Sequence, residues 1–221
     1  KSKFGAVCPI YRERIPVLTD GEIKEFTGKI SMRQFCRVID QDGIGSCASE
    51  SSTQSLMVTR SMAGLPFVLL NPWFVYHTVS GGSDNGSAID DNLIFLRDQG
   101  CAPEAVWPRS KGFRAEPSAE AKAAALRYRL DEFYDIENTR ECISALLLGF
   151  AVVYGADGHA LCKIEHLSDK EGLDCNSWGT TWGDGGFGVW VPYSKINWGY
   201  GMFAARTSVA PDDETVPPEP A

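Results

Sequence analysis

The chain has 221 residues, 43% of them hydrophobic and 23% charged, with a formal charge of −8 and a pI near 4.9. That length can bury a core in one domain or two closely packed lobes, and the acidic balance argues against nucleic acid or an anionic membrane as the main partner. The apolar runs 65–79 and 145–154 are broken by Pro66, Asn71 and Pro72 or are too short to span a bilayer.

Residues 1–40 alternate short apolar pieces with Pro9, Pro16, Gly21 and Gly28, so extended segments laid on a larger body are expected there. The first strong pattern is Gln41-Asp42-Gly43-Ile44-Gly45-Ser46-Cys47, a glycine turn that delivers a cysteine to the start of a helix. Ser46 is the expected N-cap, no Pro or Gly interrupts residues 47–63, and Gly64 supplies the stop. In the first helical turn, unpaired N–H groups and the positive end of the helix dipole favour an anion, so a thiolate forms more easily there than in water. Gln41 is spaced to fold its amide back towards the sulfur and donate to negative charge on a reacting group. Ser49, Ser51, Ser52, Thr53 and Ser55 are mediocre helix formers, so tertiary packing must hold this helix, and a central, enclosed position is expected.

Residues 65–79 read as core of the same lobe, with His77 a packed, hydrogen-bonded histidine. After a loop marked by Gly81, Gly82 and Gly86, Ser87 and Asp90 form the expected cap of a helix with the apolar face Ile89, Leu93 and Leu96, stopped by Gly100. Pro103, Pro108 and Gly112 make an irregular stretch; Ser118 opens an Ala-rich helix expected to reach about Tyr134. A shorter helix starts at Asn138 and Glu141 and ends at Gly149. From there the texture changes: 150–154, 160–164, 186–191 and 201–209 are short, β-prone and separated by glycine turns, the pattern of an antiparallel sheet or partial barrel. Helices and strands are thus segregated, which predicts an α+β chain with two lobes and a groove between them. The division expected is one domain over 1–210, with a helical lobe at 47–118, a sheet-rich lobe at 1–46 and 119–210, and an acidic, Pro-rich tail at 211–221.

The seven cysteines Cys8, Cys36, Cys47, Cys101, Cys142, Cys162 and Cys175 include no CxxC pair and read as free thiols, which favours a reducing, cytoplasmic location; a removed leader is compatible with a chain that starts at Lys1. Two features of the strand-rich half converge with Cys47: Gly158-His159-Ala160-Leu161, a histidine entering a strand after a glycine turn, and Asn176-Ser177-Trp178-Gly179-Thr180-Thr181-Trp182-Gly183. A Cys, a His and an Asn are what a thiol nucleophile needs: the His moves the proton and the Asn orients the imidazole.

In that order and spacing, Gln41 to Cys47, the Gly-His-Ala strand and the Asn-Ser-Trp-Gly-Thr-Thr-Trp-Gly block resemble the signature blocks of the papain-like cysteine peptidases, and the similarity extends over the Asn85-Gly86-Ser87 loop. The resemblance implies a papain-like two-lobed fold with a cleft between a helical and an antiparallel sheet lobe. It implies Cys47 as nucleophile, His159 as general base and acid, Asn176 as orienting residue, Gln41 as oxyanion donor and Trp178 as the shield of the Asn–His bond. Gly45, Asn85, Gly86, Ser87 and Gly158 match positions lining the groove for an extended peptide, so a peptide or protein is the implied partner, with no cofactor. Ala48 stands where the family has an aromatic residue, and Ile44 where it has a disulfide cysteine.

Three other readings compete. His159, Cys162, His166 and Cys175 are suitable zinc ligands, but His159 and Cys162 differ by an odd number and should face opposite sides of a strand. A chain that keeps the fold to bind peptides without cutting them is the second, and a thiol amidase or transpeptidase is the third.

Overall fold

The computed structural model describes residues 14–198 and the backbone of residues 203–206; Cys8 and the acidic tail 211–221 lie outside these. Among the described residues, six α-helices and six strands follow one another: α1 (Asp20–Phe26), α2 (Cys47–Met62), α3 (Pro72–Ser80), α4 (Ile89–Asp98), α5 (Ala119–Ala125), β1 (Glu132–Asp135), α6 (Thr139–Leu147), β2 (Val152–Ala156), β3 (His159–Ser168), β4 (Glu171–Cys175), β5 (Phe187–Gly188) and β6 (Phe203–Arg206). The strands form one sheet in the order β1-β6-β2-β3-β4-β5, every neighbouring pair antiparallel. The α+β architecture is that expected from the segregation of helical and strand-like sequence.

Helix α2 lies between two cores. Leu56 and Met57 pack with Phe74, Val75, Tyr76, Leu93 and Leu96 in one apolar cluster, while Val58 packs with Leu146, Val152, Leu161 and Ile164 in the other. Every residue from Ala48 to Arg60 is buried, which accounts for the small hydroxyl side chains: they let both cores approach the helix backbone. Three of their hydroxyls are satisfied within the helix or by a neighbour, Ser51 Oγ donating to the Cys47 carbonyl at 2.9 Å, Ser55 Oγ to that of Ser52 at 2.7 Å, and Ser49 Oγ to Asn92 Oδ1. The helical cluster continues past residue 118 through Ala121, Ala125, Tyr128, Leu130 and Phe133.

Several local expectations are corrected. Residues 20–26 are helical rather than extended, because Thr19 and Glu22 form a reciprocal capping box, with Glu22 N donating to Thr19 Oγ1 at 3.3 Å and Thr19 N to Glu22 Oε2 at 2.8 Å. The Ala-rich helix does start at Ser118, whose Oγ accepts from Ala121 N, but it ends at Ala125 instead of near Tyr134. Backbone pairing stops it: Tyr128 O accepts from Cys101 N and Leu130 N donates to Leu96 O. At Gly100, with φ +75°, an added Cβ would meet the Ala125 carbonyl oxygen at 2.0 Å, so this approach of two segments requires glycine. Beyond the bend, β1 puts Phe133 into the helical core and Tyr134 into the sheet core, a period-two alternation that outweighs helix propensity.

Helix α4 is preceded by Ala88 with no side-chain cap; Ser87 Oγ instead accepts from Asn92 Nδ2 at 2.8 Å. Ser46 occupies the N-cap position of α2, but its hydroxyl donates to Glu50 Oε1 at 3.1 Å rather than accepting a backbone N–H. Strand β4 was not anticipated. Its alternation is masked because Asp174, 0% exposed, faces the core in an ion pair with the equally buried Lys163, Nζ to Oδ1 2.7 Å. The partner strand, not the local pattern, makes that aspartate compatible with a buried face.

Candidate active site

Cys47 is the first residue of α2 and half-buried, following a turn in which Asp42 has φ +52° and Gly43 φ +73°. The turn is fixed from the sheet side. Gln41 N donates to the Ser177 carbonyl at 2.8 Å, and Ser177 Oγ donates to Gln41 Oε1 at 2.7 Å. Gln41 Nε2 donates to the Ile44 carbonyl at 2.6 Å, so one of its two amide hydrogens is engaged inside the turn.

His159 owes its position to the β2–β3 hairpin. Asp157 (φ 53°) and Gly158 (φ +76°) make the two-residue turn with both φ positive that right-twisted hairpins favour, and Ala156 and His159 are the closing pair. The sequence therefore sets His159 at the first position of β3. Its Nε2 lies 2.7 Å from Asn176 Oδ1, and Asn176 is 0% exposed. That oxygen also accepts from Ser177 N at 2.7 Å, so the atom facing the imidazole is an acceptor and His159 Nε2 must carry the proton. The tautomer leaves Nδ1 as the basic nitrogen. Trp178, 40% exposed, lies over the imidazole at 4.7 Å between ring centroids and 30° between planes, a lid on the His–Asn bond. Burial pushes the His159 imidazole below its ordinary value, and the bond to Asn176 opposes that shift.

The helix and the segment that follows β4 are joined two turns below the cysteine. Gln54, seven residues after Cys47 and so on the same helical face, directs Nε2 at the Asn176 carbonyl at 3.3 Å and at Cys175 Sγ at 3.3 Å. α2 also packs along β3, the strand that begins with His159. Gln41, Ser177, Asn176, His159 and Trp178 thus belong to one connected network, and Cys47 heads the helix that Gln54 ties to it.

The residues expected to line a groove fare unequally. Gly45 and Gly86 are neighbours, a Cβ on Gly45 lying 3.4 Å from Gly86 N. Both amides are taken within the chain: Gly45 N donates to Asp84 Oδ1 at 2.8 Å, and Gly86 N to Tyr76 Oη at 3.1 Å, with Tyr76 Oη donating to the same Asp84 oxygen at 2.8 Å. Asn85 is exposed, Ser87 serves Asn92, and Gly158 serves the hairpin turn. Sequence reasoning missed Trp190, whose ring lies 5.4 Å from that of His159 and 5.2 Å from that of Trp178, and whose backbone N–H donates to Asp174 Oδ2 at 2.9 Å. Nothing in a β-prone run distinguishes a tryptophan against a histidine from one in any core.

The suitable zinc ligands do not converge. Cys162 and Cys175 are cross-strand partners buried in the sheet core, His166 Nδ1 lies 3.3 Å from Tyr193 Oη, and among the described residues no group of three or more His, Cys, Asp or Glu could hold a metal ion. His77 is satisfied by the Phe113 carbonyl at 3.0 Å and Glu116 at 2.9 Å.

No protein-family model and no curated protein sequence matches the chain. Solved structures do. Xylellain, a cysteine protease from Xylella fastidiosa, superposes with a TM-score of 0.75 at 18% identity, covering 93% of this chain and 94% of that one. Digestive procathepsin L 3 of Tenebrio molitor superposes with a TM-score of 0.67 at 15% identity over 90% of this chain and 75% of that one. The bromelain protease from Ananas comosus in complex with the E64 inhibitor gives 0.65 at 15% identity, covering 80% and 97%. The chain has the papain-like cysteine protease fold.

Proposed function

We propose that the chain is a cysteine peptidase using Cys47, His159 and Asn176. His159 Nδ1 takes the Cys47 thiol proton, and the thiolate attacks the carbonyl carbon of a peptide bond. The oxyanion receives the Cys47 N–H and the second amide hydrogen of Gln41, the first being engaged with Ile44. As the C–N bond breaks, His159 protonates the departing amine. Water, deprotonated by His159, then hydrolyses the thioester and returns the thiol. Burial disfavours a lone imidazolium, and the bond to Asn176 opposes that effect at the nitrogen that carries the proton.

The observation that carries this reading is the buried 2.7 Å His159–Asn176 bond under Trp178, on a strand that packs against the helix bearing Cys47. A pocket kept only for binding has no need of a tautomer fixed in this way. In the groove, Gly45, Asn85, Gly86, Ser87 and Gly158 are proposed to border an extended substrate, with the carbonyls of Gly45 and Gly86 as its backbone partners because the two amides are already engaged. Digestion of a peptide library, with Cys47→Ala as control, tests the proposal. Cleavage by the native chain that vanishes in the variant is expected, and undiminished cleavage by the variant refutes it. Joined fragments in the product mixture would point to transpeptidation instead.

A further inference from the structure

One guanidinium connects the two halves of the site. Arg109 lies in the 3₁₀ turn Arg109–Lys111 with its backbone N–H donated to Glu104 Oε1 at 2.8 Å and the Trp73 ring 4.2 Å from Cζ. Its Nη2 donates to the Asp40 carbonyl and lies 3.6 Å from Asp42 Oδ2, while Nη1 donates to Glu50 Oε2 at 3.3 Å. Glu50 is 0% exposed, and its other oxygen accepts the Ser46 hydroxyl at 3.1 Å. Gln41 therefore stands between two residues held by Arg109, and Cys47 stands between Ser46 and Glu50, which are joined at the far end of the same bridge.

We propose that Arg109 and Glu50 are positioning residues, their ion pair fixing the Gln41 turn against the first turn of α2 so that oxyanion donor and sulfur keep one geometry; the inference rests on the peptidase reading above. Neither side chain is assigned a contact with substrate. A forked guanidinium suits the task because it serves the Asp40 carbonyl and the Glu50 carboxylate at once, whereas an ammonium is a point charge. The groups facing Glu50 are Ser46 beside it, Asp42 from the glycine turn, and Cys101 and Arg109 from the chain after α4, with Glu104 accepting the backbone N–H of Arg109. Burial pushes the Glu50 carboxyl up to about 7 against the pull of Arg109 and Ser46. As pH falls through neutrality Glu50 takes up a proton, and the charge that draws Arg109 to the helix is lost.

The test is steady-state kinetics of Glu50→Gln and Arg109→Lys on a peptide chosen from the library. Glu50→Gln keeps the shape without the charge, its Oε1 still able to accept from Arg109 while its Nε2 would donate to the Ser46 hydroxyl. It should lower kcat at pH 8 by about tenfold, the scale expected when reacting groups are slightly misplaced, with KM nearly unchanged. Its kcat should also no longer decline as pH falls through neutrality. Arg109→Lys should lose a similar factor. Variants that melt cooperatively yet keep native kcat and the native pH profile, or that lose only KM, overturn the proposal. If the native chain cleaves no peptide, the peptidase reading fails first. The iodoacetamide rate at Cys47 then decides the positioning role: a Glu50→Gln rate within about twofold of the native one at pH 6 and pH 8 overturns it, and a larger change supports it.

Discussion

Replacing Asn176 by Ala removes the acceptor that holds His159 Nε2 and the Ser177 N–H, each at 2.7 Å. The imidazole carries charge along the reaction, and a hydrogen bond to a charged group contributes about 1.5–3 kcal/mol. At about 1.4 kcal/mol per decade, kcat/KM should fall roughly 10- to 150-fold. Stability changes less: the Ser177 N–H loses its partner at a cost of about 1–3 kcal/mol, a fall in Tm of roughly 5 °C for a chain of this size. The pH response has a defined sign, because burial lowers the His159 value and the Asn176 bond raises it. Without the bond only the lowering influence remains, so the imidazole should titrate at still lower pH. The assay is kcat/KM on a library-derived fluorogenic peptide across pH 5–9, with a melting curve and a histidine NMR titration. A folded Asn176→Ala protein with kcat/KM within about twofold of native, or an imidazole that titrates higher, refutes the role given to the bond.

Trp178→Ala opens the His159–Asn176 bond to water and relieves part of the burial that lowers the imidazole, so its NMR midpoint should move up towards the ordinary histidine value; an unchanged midpoint defeats the shielding role. Lys163→Met leaves Asp174 buried without its cation and should cost about 3–5 kcal/mol, a Tm loss of roughly 10 °C or more, while adding Asp174→Asn should recover much of it; a melting curve that barely moves would remove the pair from the list of structural supports. Limited iodoacetamide treatment followed by peptide mapping should label half-buried Cys47 ahead of Cys101, Cys142 and Cys162, which are fully buried and whose thiols burial pushes up; equal labelling of these would contradict the assignment.

The Asp157-Gly158 turn and the cysteine at a helix start are local chemistry, and the sequence alone determined both. A two-residue turn with positive φ admits few residue types, and it fixes His159 as the first strand residue whatever else the chain does. The limits of α2 are equally local, since no breaker interrupts the segment before Gly64. The capping box at Thr19 was legible too, but the neighbouring glycines and prolines pointed the other way. What only the tertiary structure decided are features made by two distant stretches at once. The Ala-rich helix ends where Tyr128 and Leu130 pair with the chain around Gly100, the buried Asp174 is admissible because Lys163 lies on the adjacent strand, and the glycine turn is held by a guanidinium more than sixty residues away. Propensity and spacing act over one or two turns of chain, whereas burial of a charge and closure of a backbone hydrogen bond depend on whichever partner the fold brings near.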